Sequence, residues 1–260
     1  MKIAGTDYFA SIETPQSLTD AFVSHGVFYM GLTAVRLPED EEKRDAIISF
    51  ALSHGAEINL HAPFGINNIS STDKELRRTS IENTKRSIDL AAKFALKAVT
   101  FHPGRQTVET DDPEEIWADM MEAVAEIAQY AKEKKVNVGI ENMELRPYEL
   151  VQTVEDLNRF AHLGVDNPYF GVTIDFAHYT TLGIGLPDLT KLKLPIHNVH
   201  LSQVRGGTAN HSLAFTDGDV DLAGVCKALK EYGYDGHVLL EIGPPFWESV
   251  DILNAVNDSI

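Results

Sequence analysis

The chain has 260 residues, 43% hydrophobic and 23% charged, so it is long enough for one large α/β domain and too apolar for a disordered protein. Its net charge of −17 argues against a nucleic-acid-binding surface, which is normally basic. No apolar run approaches the ~18 residues that span a membrane, and MKIAGTDYFASIE shows no signal peptide. The single cysteine, Cys226, excludes an internal disulfide and favours a reducing, cytoplasmic location.

Short apolar segments alternate with longer amphipathic segments along the whole chain. The apolar segments predict eight strands: KIAGT, VFYMGL, EINLHA, AVTFHP, VNVGIE, FGVTID, HNVHLS and HVLLEI. Their nearly continuous apolarity is typical of parallel strands covered on both faces. Residues 70–96 open with a Ser/Thr/Asp cluster, and residues 111–135 carry Pro113 and acids first and lysines last, so both segments predict helices.

The spacing of the predicted strands favours a barrel. His61 and Glu241 end the third and eighth strands, which leaves about 36 residues for each βα step. No linker rich in Pro, Gly or Ser interrupts the series. A doubly wound open sheet is the alternative architecture, but no GxGxxG follows the first strand. We therefore predict a single-domain (β/α)8 TIM barrel over residues 1–260.

Side chains that bind metals stand at the ends of six of the predicted strands. They are His61, His102, Glu141, Asp175, His200 and Glu241. The carboxyl ends of the strands share one face of a barrel, so these side chains should converge on one pocket. Singly, each has a structural explanation, such as a Glu–Lys pair. Three adjacent carboxylates without a cation would repel one another strongly, and oxygen and nitrogen donors without sulfur suit Mn²⁺, Zn²⁺, Co²⁺ or Mg²⁺.

Four further residues are candidates for contact with a substrate. His178 follows Asp175 by three residues, at or just before a predicted helix start, and His211 lies in the loop after the seventh strand. The two histidines would share a further cation or contact substrate; simple solvation is the alternative. Arg105 and Arg205 follow the fourth and seventh strands and could reach an anionic substrate, with plain surface arginines as the alternative.

The series LHAPF, FHPG, IEN, IDFAH, VHLS and LLEIG, which covers essentially the whole chain, resembles the xylose-isomerase-like TIM barrels. This superfamily includes endonuclease IV and the sugar (phosphate) isomerases and epimerases. In the ketose epimerase and isomerase pattern, the resemblance implies one metal held by a set that is complete here: Glu141, Asp175, His200 and Glu241.

The endonuclease IV pattern implies more metal sites. His61 and His102 would join Glu141 at one zinc ion, and Glu141 would bridge to a second ion at the remaining carboxylates and His200. In the endonuclease IV pattern, a third ion is held by the residue that matches His178 and by an Asp-x-His pair in the loop after the seventh strand. Here that pair reads Ala209-Asn210-His211, so its carboxylate is missing and the third site is left open.

These patterns leave three functions to compare. The first is a metal-dependent isomerase or epimerase of a sugar, sugar phosphate or related polyol, with proton transfer through an enediolate and Glu141 and Glu241 as the acid/base pair. The second is a metal-dependent phosphodiester hydrolase resembling an abasic-site endonuclease, which requires a basic DNA-facing loop that the sequence lacks. The third is a barrel that only binds metal or ligand.

We expect the first function. The predicted cofactor is one or two divalent ions, zinc or manganese, with magnesium or cobalt as alternatives. The predicted partner is a small sugar or sugar phosphate, without nucleic acid or membrane, and association into a homo-oligomer is left open.

Overall fold

A closed barrel of parallel strands organises the chain. The computed structural model describes residues 2–8, 11–109 and 111–260. Within them the barrel strands are β1 (Lys2–Thr6), β2 (Tyr29–Thr33), β3 (Glu57–His61), β4 (Ala98–Phe101), β5 (Val138–Glu141), β6 (Phe170–Asp175), β7 (Ile196–Leu201) and β10 (His237–Leu240). They are hydrogen-bonded in the closed order β1-β10-β7-β6-β5-β4-β3-β2. The predicted single-domain TIM barrel is confirmed, as are the positions of its eight strands.

Helices follow the strands on the outside of the barrel. They are α1 (Pro15–Ala21), α2 (Glu41–Ser53), α3 (Lys74–Phe94), α4 (Pro113–Lys134), α5 (Val154–Asn158), α6 (Phe176–Thr181), α7 (Leu222–Tyr232) and α8 (Phe246–Asp258). The two helices predicted from sequence are α3 and α4, whose first turns are capped by the carboxylates of Asp73 and Asp112. A two-stranded antiparallel ribbon, β8 (Gln203–Arg205) and β9 (Thr208–Asn210), follows β7. No helix in the described ranges is long and apolar enough to cross a membrane.

The strand ends place the predicted ligands on one face of the barrel. The last residues of β3, β5 and β6 are His61, Glu141 and Asp175. The next-to-last residue of β7 is His200. The residues directly after β4 and β10 are His102 and Glu241. Because all eight barrel strands are parallel, these positions lie together at the carboxyl-terminal mouth.

The barrel interior below this mouth is partly polar. Asn59 and Asn198 are buried and joined by a hydrogen bond of 3.0 Å between Asn59 Nδ2 and Asn198 Oδ1. The hydroxyls of Thr100 and Thr173 lie 2.9 Å apart. Barrel interiors are usually filled by branched apolar side chains. The apolar core of this protein is instead concentrated between the strands and the helices, around side chains such as Ile47, Ile88 and Ile127.

Candidate active site

Three of the other five predicted ligands, all histidines, contact the carboxylate of Glu141. Its Oε1 lies 2.9 Å from His200 Nδ1. Its Oε2 lies 3.3 Å from His61 Nε2 and 3.2 Å from His102 Nε2. The two oxygens of one buried carboxylate therefore face two different groups of imidazoles.

The other two carboxylates complete the cluster. Glu241 Oε1 lies 3.3 Å from His200 Nδ1. Asp175 caps helix α6, because its Oδ1 accepts the His178 N–H at 2.7 Å, and its Oδ2 lies 3.7 Å from His178 Nδ1. His178 thus lies inside α6, rather than at or before its start, and its ring belongs to the same cluster.

The residues present fit a divalent cation. Among the described residues, three groups each bring their donor atoms within 4.8 Å of one another: His61, His102 and Glu141; His61, His200 and Glu241; and Glu141, Asp175 and His178. Asp175 Oδ2 is buried and has no hydrogen-bond partner among the described residues. Leaving such an atom unpaired costs about 1–3 kcal/mol or more, and a cation would remove that cost. Oxygen and nitrogen donors of this kind suit Zn²⁺, Mn²⁺, Mg²⁺ or Co²⁺.

Burial and neighbouring charge oppose each other in the pKa values of the cluster. Burial would raise the pKa of Glu141, but the charge of His200 and hydrogen bonds from the surrounding imidazoles hold it well below its usual range. Burial raises the pKa of Asp175 despite the opposing charge of His178. Burial alone would lower the pKa of His178 and His200, yet the adjacent carboxylates raise both to about 9. Histidine protons therefore balance part of the carboxylate charge, a task that a cation also performs.

Asn142 orients two members of the cluster and was not singled out from the sequence. Its Oδ1 accepts the backbone N–H of Asp175 at 2.9 Å, and its carbonyl oxygen accepts from His178 Nδ1 at 2.9 Å. Hydrogen bonds of this kind fix the direction in which ligating groups point. The only signal in the sequence was its position directly after Glu141, in the segment IEN.

A cavity of about 190 Å³ opens above the cluster. Its lining includes His61, His102, Glu141 and Glu241, together with the predicted substrate contacts His178, His211 and Arg105. Pockets for drug-sized ligands usually measure about 300–1,000 Å³, so this one suits a smaller molecule. Most lining groups are polar or charged, which favours a polar ligand.

Three of the four predicted substrate contacts lie at this cavity. The His211 ring stacks on Tyr8 with centroids 5.2 Å apart, and Arg105 Nη1 lies 3.8 Å from Glu149 Oε1. Arg205 is placed differently: it is exposed on β8, outside the cavity lining, and its Nε donates to the Asp217 carbonyl oxygen at 3.1 Å. Tyr8, which follows β1 at the same face, lines the cavity and was missed from the sequence.

The sequence matches a known family over most of its length. A family described as xylose isomerase-like TIM barrel matches residues 20–254, and the chain belongs to this family. The chain is also 28% identical over 196 residues to an uncharacterized protein of Methanocaldococcus jannaschii. That alignment covers 71% of this chain and 64% of the relative, so the chain spans less than two thirds of the length of that protein.

Solved structures share the fold. A D-tagatose 3-epimerase-like protein superposes with a TM-score of 0.86 at 22% identity, covering 99% of this chain and 97% of that one. D-psicose 3-epimerase of Clostridium cellulolyticum H10, solved with D-tagatose, superposes with a TM-score of 0.77 at 18% identity, covering 94% of this chain and 85% of that one. The IolI protein with a bound zinc atom superposes with a TM-score of 0.74 at 17% identity, covering 100% of this chain and 96% of that one. At these identities the likeness shows the fold alone.

Proposed function

We propose that this protein is a divalent-metal-dependent isomerase or epimerase that acts on a sugar, sugar phosphate or related polyol by proton transfer. The observation that carries the proposal is the buried cluster of Glu141, Asp175, His200 and Glu241 beneath a small polar cavity. Two proteins with the same fold, a D-tagatose 3-epimerase-like protein and D-psicose 3-epimerase, support the same substrate class. Membership in a fold family by itself does not decide the chemistry, so the cluster carries the argument.

The cluster offers donors for one or two ions. Glu141, Asp175, His200 and Glu241 would hold the first ion, and His61 and His102 would join Glu141 at a second. Zinc and manganese are the expected ions, with magnesium and cobalt as alternatives. When bound, such an ion supplies electrostatic stabilisation of negative charge that develops on substrate oxygens.

Glu141 and Glu241 are the proposed acid/base pair. Both carboxylates line the cavity, and both lie within 3.3 Å of His200 Nδ1. Burial would raise the pKa of Glu141, but the charge of His200 and the surrounding imidazole hydrogen bonds hold it well below its usual range, so this carboxylate is ionised, as a proton acceptor must be. Glu241, which follows a different strand and would start protonated, would donate its own proton to the carbon while Glu141 keeps the one it took, and an enediolate would be the species between the two steps.

The remaining lining residues would position the substrate. His178, His211 and Arg105 line the cavity beside the acid/base pair and would contact hydroxyl groups or a phosphate. Arg205 stays a predicted substrate contact, on the β8–β9 ribbon. The low content of basic residues, 22 against 39 acidic, supports a small-molecule partner over nucleic acid.

The experiment that tests the proposal is Glu241→Gln with D-tagatose and D-psicose as first substrates. We expect the variant to lose conversion of the substrate, followed by NMR, because Glu141 can still take up a proton but the acid that returns one is gone, while elemental analysis finds the metal still bound. Glu149→Gln, in the lining of the same cavity, is the matched control and should retain conversion. Retained conversion in Glu241→Gln with metal bound would contradict the acid/base assignment.

A metal-dependent phosphodiester hydrolase is the second candidate. It is favoured by one observation: the Glu141 oxygens face separate groups, His200 on one side and His61 with His102 on the other. A carboxylate that bridges two ions has this arrangement, and paired ions are common in phosphodiester hydrolysis. The number of bound ions therefore distinguishes the two candidates.

A further inference from the structure

A series of polar contacts connects the metal-ligand candidate His200 with the opposite mouth of the barrel. His200 Nε2 lies 3.0 Å from Asn198 Nδ2, and Asn198 Oδ1 accepts from Asn59 Nδ2 at 3.0 Å. Asn59 Nδ2 also lies 3.2 Å from His237 Nδ1, whose Nε2 lies 3.0 Å from Glu57 Oε2. Asn59, Asn198, His200 and His237 are all buried. Burying a polar group costs free energy unless it is hydrogen-bonded, and barrel interiors are usually filled by apolar side chains.

The two nitrogens of His200 have separate surroundings. Its Nδ1 faces the carboxylates of Glu141 and Glu241, at 2.9 and 3.3 Å, and is the atom available to a cation. Its Nε2 faces Asn198. An imidazole that gives Nδ1 to a cation carries its hydrogen on Nε2, and that hydrogen needs an acceptor.

Asn198 can supply either partner that Nε2 needs. A carboxamide presents an oxygen acceptor on one side and a nitrogen donor on the other. In this structure Asn198 Nδ2 faces His200 Nε2 and also Thr100 Oγ1, which lies 3.2 Å away. Because a hydroxyl can donate as well as accept, Thr100 can bond to either atom of the carboxamide. Turning the Asn198 amide breaks its hydrogen bond from Asn59 Nδ2. Asn59 Oδ1 is buried without a hydrogen-bond partner in the described part of the chain, so Asn59 can turn as well and accept from Asn198 Nδ2.

We propose that Asn198 is a positioning residue for His200, and that in the cation-loaded protein Asn198 Oδ1 accepts the Nε2–H of His200. The inference rests on the proposed metal site and adds a residue that touches neither ion nor substrate. It explains why two carboxamides lie in the barrel interior, where apolar side chains are usual.

Metal affinity provides the first test. Asn198→Leu keeps a similar volume and removes the carboxamide oxygen and nitrogen that can bond to His200 Nε2. The Kd for Zn²⁺ or Mn²⁺ should therefore rise by about 10- to 100-fold in a competition titration. Asn198→Asp keeps an oxygen acceptor and should restore most of the affinity. Thr173→Val is the matched control, because Thr173 is equally buried and bonds to Thr100 instead of His200. The control should keep the affinity of the unaltered protein.

NMR of the unaltered protein with ¹⁵N-labelled histidine provides a second test that does not depend on the folding of any variant. In the zinc-loaded protein we expect His200 to carry a hydrogen-bonded proton on Nε2, exchanging slowly with solvent. Equal zinc affinity in the unaltered protein and Asn198→Leu would overturn the role of Asn198 alone. A proton on Nδ1 would show that this atom does not bind the ion, and would overturn the ligand role of His200 as well. Failure of the unaltered protein to bind either ion would overturn the metal site and this inference together.

Discussion

Asn142 and Asp175 exchange two hydrogen bonds at the ends of neighbouring strands. Asn142 Nδ2 donates to the Asp175 carbonyl oxygen at 3.0 Å, and the Asp175 N–H donates to Asn142 Oδ1 at 2.9 Å. The β5–β6 ladder ends with Glu141 opposite Thr173, so the Asn142 side chain continues the pairing beyond the last ladder position. A residue outside the proposed ligand set thereby fixes the backbone at a proposed ligand.

Asn142→Ala should weaken both stability and metal binding. The substitution leaves the buried Asp175 N–H and carbonyl without side-chain partners, which should lower the free energy of unfolding by about 1–3 kcal/mol. Cation affinity should fall by about 10-fold or more. Urea unfolding and a competition titration measure the two effects. Asn137→Ala removes an exposed hydrogen bond to the Lys97 carbonyl at the other mouth and is the control; an equally small effect in both variants would contradict the prediction.

The number of bound ions should separate the two proposed functions. Elemental analysis of the unaltered protein should be compared with His61→Ala/His102→Ala. One ion, kept in the double variant, supports the single-site isomerase or epimerase. Two ions, with one lost, favour the hydrolase, and abasic DNA and phosphate esters should then be assayed. His25→Ala/His54→Ala removes two histidines that lie outside the cavity lining and should leave the metal content unchanged.

The part of the stability that depends on His197 should decrease as the pH falls from 7 to 5. Burial lowers the pKa of this imidazole to about 4, and its Nε2 has no hydrogen-bond partner in the described ranges. The unfolded chain, with a pKa near 6.5, takes up the proton first. The contribution of His197 to the free energy of unfolding is therefore complete above pH ~6.5 and is lost as the pH falls toward ~4. The loss between pH 7 and pH 5 amounts to about 1–2 kcal/mol.

Urea unfolding of His197→Gln at these two pH values tests this assignment. The variant has no imidazole to titrate, so its stability should change less with pH than that of the unaltered protein. His162→Gln, an exposed histidine, is the control and should keep the full pH dependence. An equal decrease in His197→Gln would show that another group is responsible.

Gly139→Ala should destabilise the barrel by about 1–3 kcal/mol through overpacking. A Cβ at this position would lie 2.4 Å from Thr173 Oγ1 and 2.9 Å from the Thr173 backbone nitrogen. The backbone contact cannot be relieved by a side-chain rotation. Gly243→Ala is the control, because the nearest heavy atom to its Cβ would be 3.4 Å away. Thermal unfolding compares them, and an equal Tm in both variants would refute the steric argument.

The positions of the metal-ligand candidates could be predicted because of a simple geometric rule. Parallel strands in a barrel share one carboxyl-terminal mouth, so a side chain at a strand end has a known location even before the strands are paired. His61 and Glu241 are 180 positions apart in the sequence, and both line the same cavity. Strand length and apolarity were sufficient to place them.

Other residues could not be placed by that rule. The β8–β9 ribbon inserted after β7 carries Arg205 away from the cavity, and a short antiparallel turn of this kind has little periodicity to detect. Asn198 lies within a predicted strand, and in a strand covered on both faces the alternation that would separate interior from exterior positions is absent. The polar interior therefore emerges only from the paired strands.

The first two strands stand apart from the rest of the barrel. The proposed ligands come from β3, β4, β5, β6, β7 and β10 or the residues directly after them, and β1 and β2 supply none. In the described part of the chain the β1–β2 ladder pairs two positions and the β2–β3 ladder five. Asp7 continues the shorter ladder, because its carboxylate accepts from the Thr33 N–H at 2.8 Å and from the Thr33 hydroxyl at 2.7 Å. An ion would thus connect the ends of six neighbouring strands and leave β1 and β2 without a bond to it. It should slow the exchange of backbone amides with deuterium in those six strands and have the smallest effect in β1 and β2.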